Sequence, residues 1–175
     1  AMWITWVVAA AAAAASAAER PRPGDSVSPS SATTISHADG GRCAKHGRVF
    51  ACGRNSSGQL GLRDRGAALL PRMLTGLHAH RIRRVACGMA HTLALSDEGE
   101  VFAWGSGADG QLGVGQREPE QFDAEEPVKV QGLPTDAPVT VIAAGSRHSL
   151  CISGDDGQLF VWGNNADGRL GFADE

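Results

Sequence analysis

Three fifteen-residue segments of this chain superpose on one another: GRVFACGRNSSGQLG from Gly47, GEVFAWGSGADGQLG from Gly99 and GQLFVWGNNADGRLG from Gly157. They start 52 residues apart (47 to 99) and then 58 residues apart (99 to 157). Recurrence at such a period means that one supersecondary unit is reused, and that each unit covers its apolar face with its neighbour. A second block recurs in step with the first. PRMLTGL from Pro71 matches PVKVQGL from Pro127, and VACGMAHTLAL from Val85 matches IAAGSRHSLCI from Ile142. The whole unit repeats, so the chain should fold as an array and not around one unique core.

Successive side chains of Glu100-Val101-Phe102-Ala103-Trp104 would stand on opposite faces of a strand, and Thr92 to Leu95 reads the same way. Ser96-Asp97-Glu98-Gly99 between them makes a hairpin, its short loop closed by a glycine in the left-handed region. The third unit lengthens that loop by one residue, Ser153 to Gly157, as a solvent-exposed tip tolerates. Further strands are expected around Val128 to Val130 and from Val139 to Ala143. The 23 glycines suit short strands and tight turns, because each would cost a helix about 1 kcal/mol. Four short strands per unit describe a propeller blade. The expected fold is therefore all-β: an incomplete β-propeller of four-stranded blades, two full repeats and the start of a third, after a disordered N-terminal extension.

VACGMAHTLALSDEGEVFAWGSGADGQLG, from Val85, resembles the signature of the regulator-of-chromosome-condensation repeat family, and the likeness runs from about Gly47 to the C-terminus. That resemblance implies a ring of about seven blades. It differs from the WD-repeat signature, whose Gly-His pair and Trp-Asp ending are absent. The chain departs from the pattern in two places. Cys52 stands where Trp104 and Trp162 stand, and ISHADGGRCAKH ahead of Gly47 lacks the G-x-x-H-T-L-A-L block. Two and a fraction blades cannot close a ring, so the sequence reads as a piece of a larger propeller, with assembly from several chains as the lesser alternative.

Residues 1–18 form an Ala-rich apolar extension whose uncharged run from Trp3 is shorter than the roughly 20 residues a membrane-spanning helix needs. No membrane anchor is expected. A signal or transit peptide is the alternative, although the positive start is missing. Residues 19–36 are a Pro/Ser-rich linker with little to bury, expected to be disordered. The repeats occupy 37–175, as repeat 47–96, repeat 99–153 and a truncated repeat 157–175. A net charge of −3 names no partner. Cys43, Cys52, Cys87 and Cys151 form no C-x-x-C pair, so neither a zinc ribbon nor a disulfide framework is indicated, and a reducing, intracellular compartment (cytoplasm or nucleus) is favoured.

The residues that recur are candidates for structural work. They are Gly53, Gly58, Leu60 and Gly61 in the first unit, with Gly88 and His91 following. In the second they are Gly99, Trp104, Gly105, Gly110, Leu112 and Gly113, then Gly145 and His148. In the third they are Gly157, Trp162, Gly163, Gly168, Leu170 and Gly171. A histidine repeated once per unit suits a hydrogen bond that holds each blade, whereas catalysis needs one copy in one place. The tryptophans read as fillers between blades, each with an indole N–H in need of an acceptor. Cys43 and Cys52 align with Leu95 and Trp104 and read as small buried hydrophobes. Gly105, Gly107 and Gly110 spell G-x-G-x-x-G, but no apolar-periodic helix follows, so a dinucleotide site is rejected. Asn55-Ser56-Ser57 is a formal glycosylation sequon that matters only on the secretory route.

Catalytic, metal and cofactor residues are none in this reading, no small-molecule substrate is expected, and the chain is taken as a non-catalytic module. The basic run from His78 to Arg84 reads first as a solvated face and second as a chromatin contact. The insertion with Arg117, Glu118, Glu120, Asp123, Glu125 and Glu126 is longer than its counterpart in the first unit and is the candidate partner loop. The expected function is a protein–protein interaction scaffold. The resemblance implies two alternatives: a guanine-nucleotide exchange factor for a small Ran-like GTPase, or adaptor repeats of a larger ubiquitin ligase or kinase.

Overall fold

The structure is a computed structural model that describes residues 7–10, 33–37, 48–115 and 123–172. Eleven strands form three antiparallel sheets, with one 3-10 turn at Ala166–Gly168 among the described residues. The first sheet has β1 (Val7–Ala10), β2 (Thr33–His37), β3 (Arg48–Gly53) and β4 (Ala68–Met73) in chain order. The second has β5 (Ile82–Cys87), β6 (His91–Ser96), β7 (Val101–Gly105) and β8 (Ala124–Lys129) in the same order. The third holds β9 (Val139–Ala144), β10 (His148–Ser153) and β11 (Gln158–Gly163). The architecture is a partial β-propeller whose blades are up-and-down meanders.

The predicted hairpin is β6 and β7, in register from His91 opposite Gly105 to Leu95 opposite Val101. Gly99, with φ +81, closes its tip by donating its N–H to the Ser96 carbonyl. Both strands are buried along their whole length, because the second sheet is covered on both faces by its neighbours. That explains the continuous apolar run Val101 to Trp104, which a sheet exposed on one side would have broken with polar residues. One core, including Leu60, Leu93, Leu95, Trp104 and Leu112, threads through the joints between sheets.

The sequence repeat and the sheet are out of phase. The unit beginning near Gly47 contributes β3 and β4 to the first sheet, and then β5 and β6 to the second. This repeat thereby stitches two blades together, and the second sheet cannot form without two repeats.

The first sheet reaches into sequence whose composition reads as extension and linker. β1 pairs with β2, and β2 with β3, where Thr33 lies opposite Cys52. Without β2, β3 would leave a row of backbone groups unpaired, and Thr33-Thr34-Ile35 and Val7-Val8 supply the β-branched residues such an edge favours. β2 holds the place that β6 and β10 hold in their sheets. Cys43, aligned above with Leu95, lies outside the described residues. The rest of 1–36 lies outside them too.

Candidate functional site

The repeated residues converge on the two joints between sheets. At the first joint the turn after β3 reaches the second sheet, where the Gln59 carbonyl accepts both the Trp104 indole N–H and the Thr92 hydroxyl, each at 2.9 Å. At the second joint the Gln111 carbonyl accepts the Trp162 indole N–H at 2.9 Å and the Ser149 hydroxyl at 2.8 Å. One carbonyl therefore serves two donors from the next blade, using both of its lone pairs. Gly61 and Gly113 carry the indoles: a Cβ on Gly61 would lie 2.9 Å from Trp104 Nε1, and one on Gly113 2.6 Å from Trp162 Nε1. Gly105 and Gly163 admit the backbones of Gln59 and Gln111 on the other side. Leu60 and Leu112 are buried beside them.

Each turn is also held from within. The Asn55 Oδ1 accepts the Leu60 N–H, and its Nδ2 donates to Asp64, while Asn165 Oδ1 accepts the Leu170 N–H. Asn55 is 1 % exposed, so the formal sequon is closed in the folded chain. Gly58, Gly110 and Gly168 each donate a backbone N–H inside their turn, and Gly61, Gly113 and Gly171 do so three residues later. Gly157 sits at the tip between β10 and β11 with φ +73.

His91 is buried at the second joint, with Nε2 3.0 Å from Ser149 Oγ. Since Ser149 donates its one hydroxyl hydrogen to Gln111, it accepts from His91, which fixes the proton on Nε2 and leaves the ring neutral. Burial, with the neighbouring His148 as the lesser cause, pulls the His91 pKa down to about 4. The ring packs against Gly88, where a Cβ would come within 2.3 Å of it, and His148 packs against Gly145. Nδ1 of both histidines is buried without a hydrogen-bond partner. Cys151 is buried and pushed up to about 11 by desolvation, which keeps its thiol protonated and unreactive.

The candidate partner loop is only partly drawn. Arg117, Glu118 and Glu120 lie outside the described residues. The other three anchor its base to the preceding blade: Arg65 pairs with Asp123 and Glu125, and Arg63 with Glu126. Arg63 also donates its backbone N–H to the Glu125 carbonyl. In the basic run His80 faces Glu100, Arg81 pairs with Asp97, and Arg83 donates to the Val139 carbonyl of the third sheet. Much of that run is thus neutralised or used to join sheets.

Sequence reading passed over Thr92, Ser149, Gln59, Gln111 and the Arg63/Arg65 clasp. The first four had a signal, a hydroxyl residue directly after each repeated histidine and a glutamine in each G-Q-L-G. The clasp had none, since its partners are 58 to 63 residues apart and occur once. Exposed ion pairs of this kind contribute little and are screened by salt. Arg63→Ala with Arg65→Ala should lower the melting temperature slightly at low ionic strength and not at all in molar salt, as thermal melts at the two conditions would read.

The description "Regulator of chromosome condensation (RCC1) repeat" matches residues 46–95 and 98–152, and a second form of the same repeat matches 82–111 and 139–169. The chain belongs to the RCC1-repeat family. It is 41 % identical over 128 residues to the human protein named Probable E3 ubiquitin-protein ligase HERC6, covering 73 % of this chain and 12 % of HERC6. It is 33 % identical over 149 residues to the ultraviolet-B receptor UVR8 of Arabidopsis thaliana, covering 85 % of this chain and 31 % of UVR8. Among solved structures it is similar to yeast RCC1 (Prp20) in its complex with Kap60, with a TM-score of 0.61 and 28 % identity over 76 % of this chain and 28 % of that one. This RCC1-repeat chain thus spans under a third of these proteins' lengths. Among its described residues no helix is long and apolar enough to cross a membrane.

Proposed function

We propose that this RCC1-repeat chain is a protein-binding scaffold that performs no chemistry of its own and works inside the cell. One observation carries the reading. The side chains with chemical potential, His91, Thr92, Ser149 and the two indoles, are each committed to holding one blade against the next. The candidate contact is the insertion between Gly115 and Asp123, at the end of which Arg65 pairs with Asp123. A long loop on a rigid sheet is where such folds place recognition. The partnership of yeast RCC1 with Kap60 supports a protein as the ligand.

A second reading is favoured by the likeness to HERC6: the repeats act as the substrate-selecting part of a ubiquitin ligase. Both readings place contact on the same loop. Charge reversal at Glu118 and Glu120 should abolish crosslinking of a cellular protein to that loop while leaving the melting temperature unchanged. Acceleration of GDP release from Ran by substoichiometric amounts of this chain would replace the scaffold reading with nucleotide exchange.

A further inference from the structure

The dipeptide Asp-Gly occurs four times in the chain, and three of the four lie in the described residues: Asp109-Gly110, Asp156-Gly157 and Asp167-Gly168. Such a pair can react with itself. The glycine nitrogen closes on the aspartate Cγ to form a cyclic imide, since glycine has no Cβ to block the approach. Two conditions govern the closure. The carboxyl group must be free to turn towards the nitrogen, and the glycine N–H must not be held by an acceptor, because a held N–H reacts only after the turn opens.

Two of the three pairs fail on the nitrogen. Gly110 donates its N–H to the Gly107 carbonyl at 3.0 Å, and Gly168 donates to the Asn165 carbonyl at 2.9 Å. Their carboxylates are held as well: Asp109 accepts from Asn164 Nδ2 at 2.7 Å, and Asp167 from Arg169 at 2.9 Å. Asp156-Gly157 differs on both counts. It sits at the tip between β10 and β11, where both residues are exposed. Among the described residues, neither the Asp156 carboxylate nor the Gly157 N–H has a hydrogen-bond or ionic partner. The extra residue in this tip is the cause. In the shorter β6–β7 tip Gly99 donates its N–H to the Ser96 carbonyl at 3.1 Å, whereas the run from Ser153 to Gly157 is one residue longer and Gly157 does not make the matching bond to Ser153. Gly154 gives the carboxylate room inside the loop, for a Cβ there would lie 2.5 Å from Asp156 Oδ1.

We propose that Asp156 is a site of spontaneous isomerisation to isoaspartate. The Gly157 nitrogen loses its proton to water and attacks Cγ of the protonated Asp156 carboxyl group; a C–N bond forms, and a carboxyl oxygen leaves as water. Water then adds to one of the two imide carbonyls. Cleavage of the C–N bond at Cγ restores aspartate. Cleavage at the main-chain carbonyl leaves the chain running through Cβ and Cγ, with a free α-carboxylate. One water leaves and one returns, so the step needs no oxidant, reductant or other reactant. The product carries an added backbone carbon at the tip, outside the β10–β11 ladder, which ends at Ser153 opposite Gln158.

The full chain, incubated for weeks at neutral pH in heavy-oxygen water and then mapped by peptide with electron-transfer fragmentation, reads imide turnover at each pair. In the folded wild type, isoaspartate and heavy oxygen should accumulate at Asp156 at least about fivefold faster than at Asp109 or Asp167, the factor that one ordinary hydrogen bond imposes on opening. In concentrated urea, where no turn survives, the three sites should react at similar rates. Removing Asp155 restores a tip of the β6–β7 length and keeps Asp156-Gly157, so turnover at Asp156 should fall to that of the other two sites. Asp156→Glu should abolish it there, because the larger ring closes far more slowly. Melting curves would show whether the shortened chain folds; if it does not, the comparison of folded and urea-treated wild type decides alone. Equal rates at the three sites of the folded chain would overturn the proposal, and so would a folded, shortened chain that reacts at Asp156 as fast as the wild type.

Discussion

Trp104→Ala is expected to cost about 3–5 kcal/mol, the range for removing a fully buried tryptophan, which is a large part of a small domain's stability. Trp104 is 0 % exposed, its ring covers Gly61, and its N–H is one of two donors to the Gln59 carbonyl. The alanine chain loses the filler of the first joint, where Leu60 and Leu74 are already buried. Two further variants separate the causes. Trp104→Phe keeps much of the volume and removes only the indole donor; Gln59 retains the Thr92 hydroxyl, so the loss should be nearer about 1 kcal/mol on top of the smaller ring. Gly61→Ala should be strongly destabilising in the wild type, where the new Cβ meets Trp104, and less so in the Trp104→Ala background, so the two losses do not add. Trp162→Ala should cost less than Trp104→Ala, because Trp162 is only half-buried. Urea midpoints for the wild type and the five variants would read all of this; equal losses at Trp104 and Trp162 would contradict the burial argument.

Why the joints were half legible follows from what repeats and what does not. A residue type that recurs at one register position announces a shared structural duty, so Trp104, Trp162, His91, His148 and the glycines could be singled out from the sequence. The partners of the two indoles are backbone carbonyls. Gln59 and Gln111 receive the indoles on main-chain oxygens, which any residue could offer, while their side-chain Oε1 atoms accept the Ser57 and Asp109 N–H, so the recurring glutamine marks the turn and not the acceptor of the indole. The indole could be expected to seek an acceptor, but which acceptor depends on the neighbouring blade's approach over a glycine. The phase between repeat and sheet was hidden for a related reason: periodicity fixes the length of a unit and leaves its starting point free. β2 shows a third limit. Thr33 to His37 lacks the histidine block of β6 and β10, and the edge of β3, not a sequence motif, provides the reason for a strand there.

Acid is expected to loosen the second joint through His91, and the pH at which it does so identifies the residue. In the folded chain the ring takes up a proton only near pH 4, against an ordinary value of 6.5. Between those values the unfolded chain binds more protons than the folded one, so stability falls as the pH drops from 6.5 and the loss is complete just below 4. Above pH 6.5 the ring is neutral in both states and contributes no slope. The gap corresponds to on the order of 3 kcal/mol. Geometry gives the cause: the added proton must sit on Nδ1, which has no acceptor and faces Gly88, while the new charge lies near His148. Glu100, held low chiefly by its hydrogen bond to Lys129, and Asp64, held low chiefly by Arg72, also lose stabilisation in acid. Their losses begin only near their ordinary values of 4.5 and 3.8 and finish below them, so the interval from pH 6.5 to 4.5 is free of both. His91→Gln retains an N–H donor for Ser149 and cannot titrate. Urea unfolding at pH 7, 5.5 and 4.5 should therefore show a clear decline in the wild-type chain and a much flatter profile in the variant, even though the variant starts from a lower stability at pH 7. Parallel profiles would mean that the imidazole keeps its solution basicity inside the joint, and the assignment of a neutral, Nε2-protonated ring bridging to Ser149 would have to be abandoned.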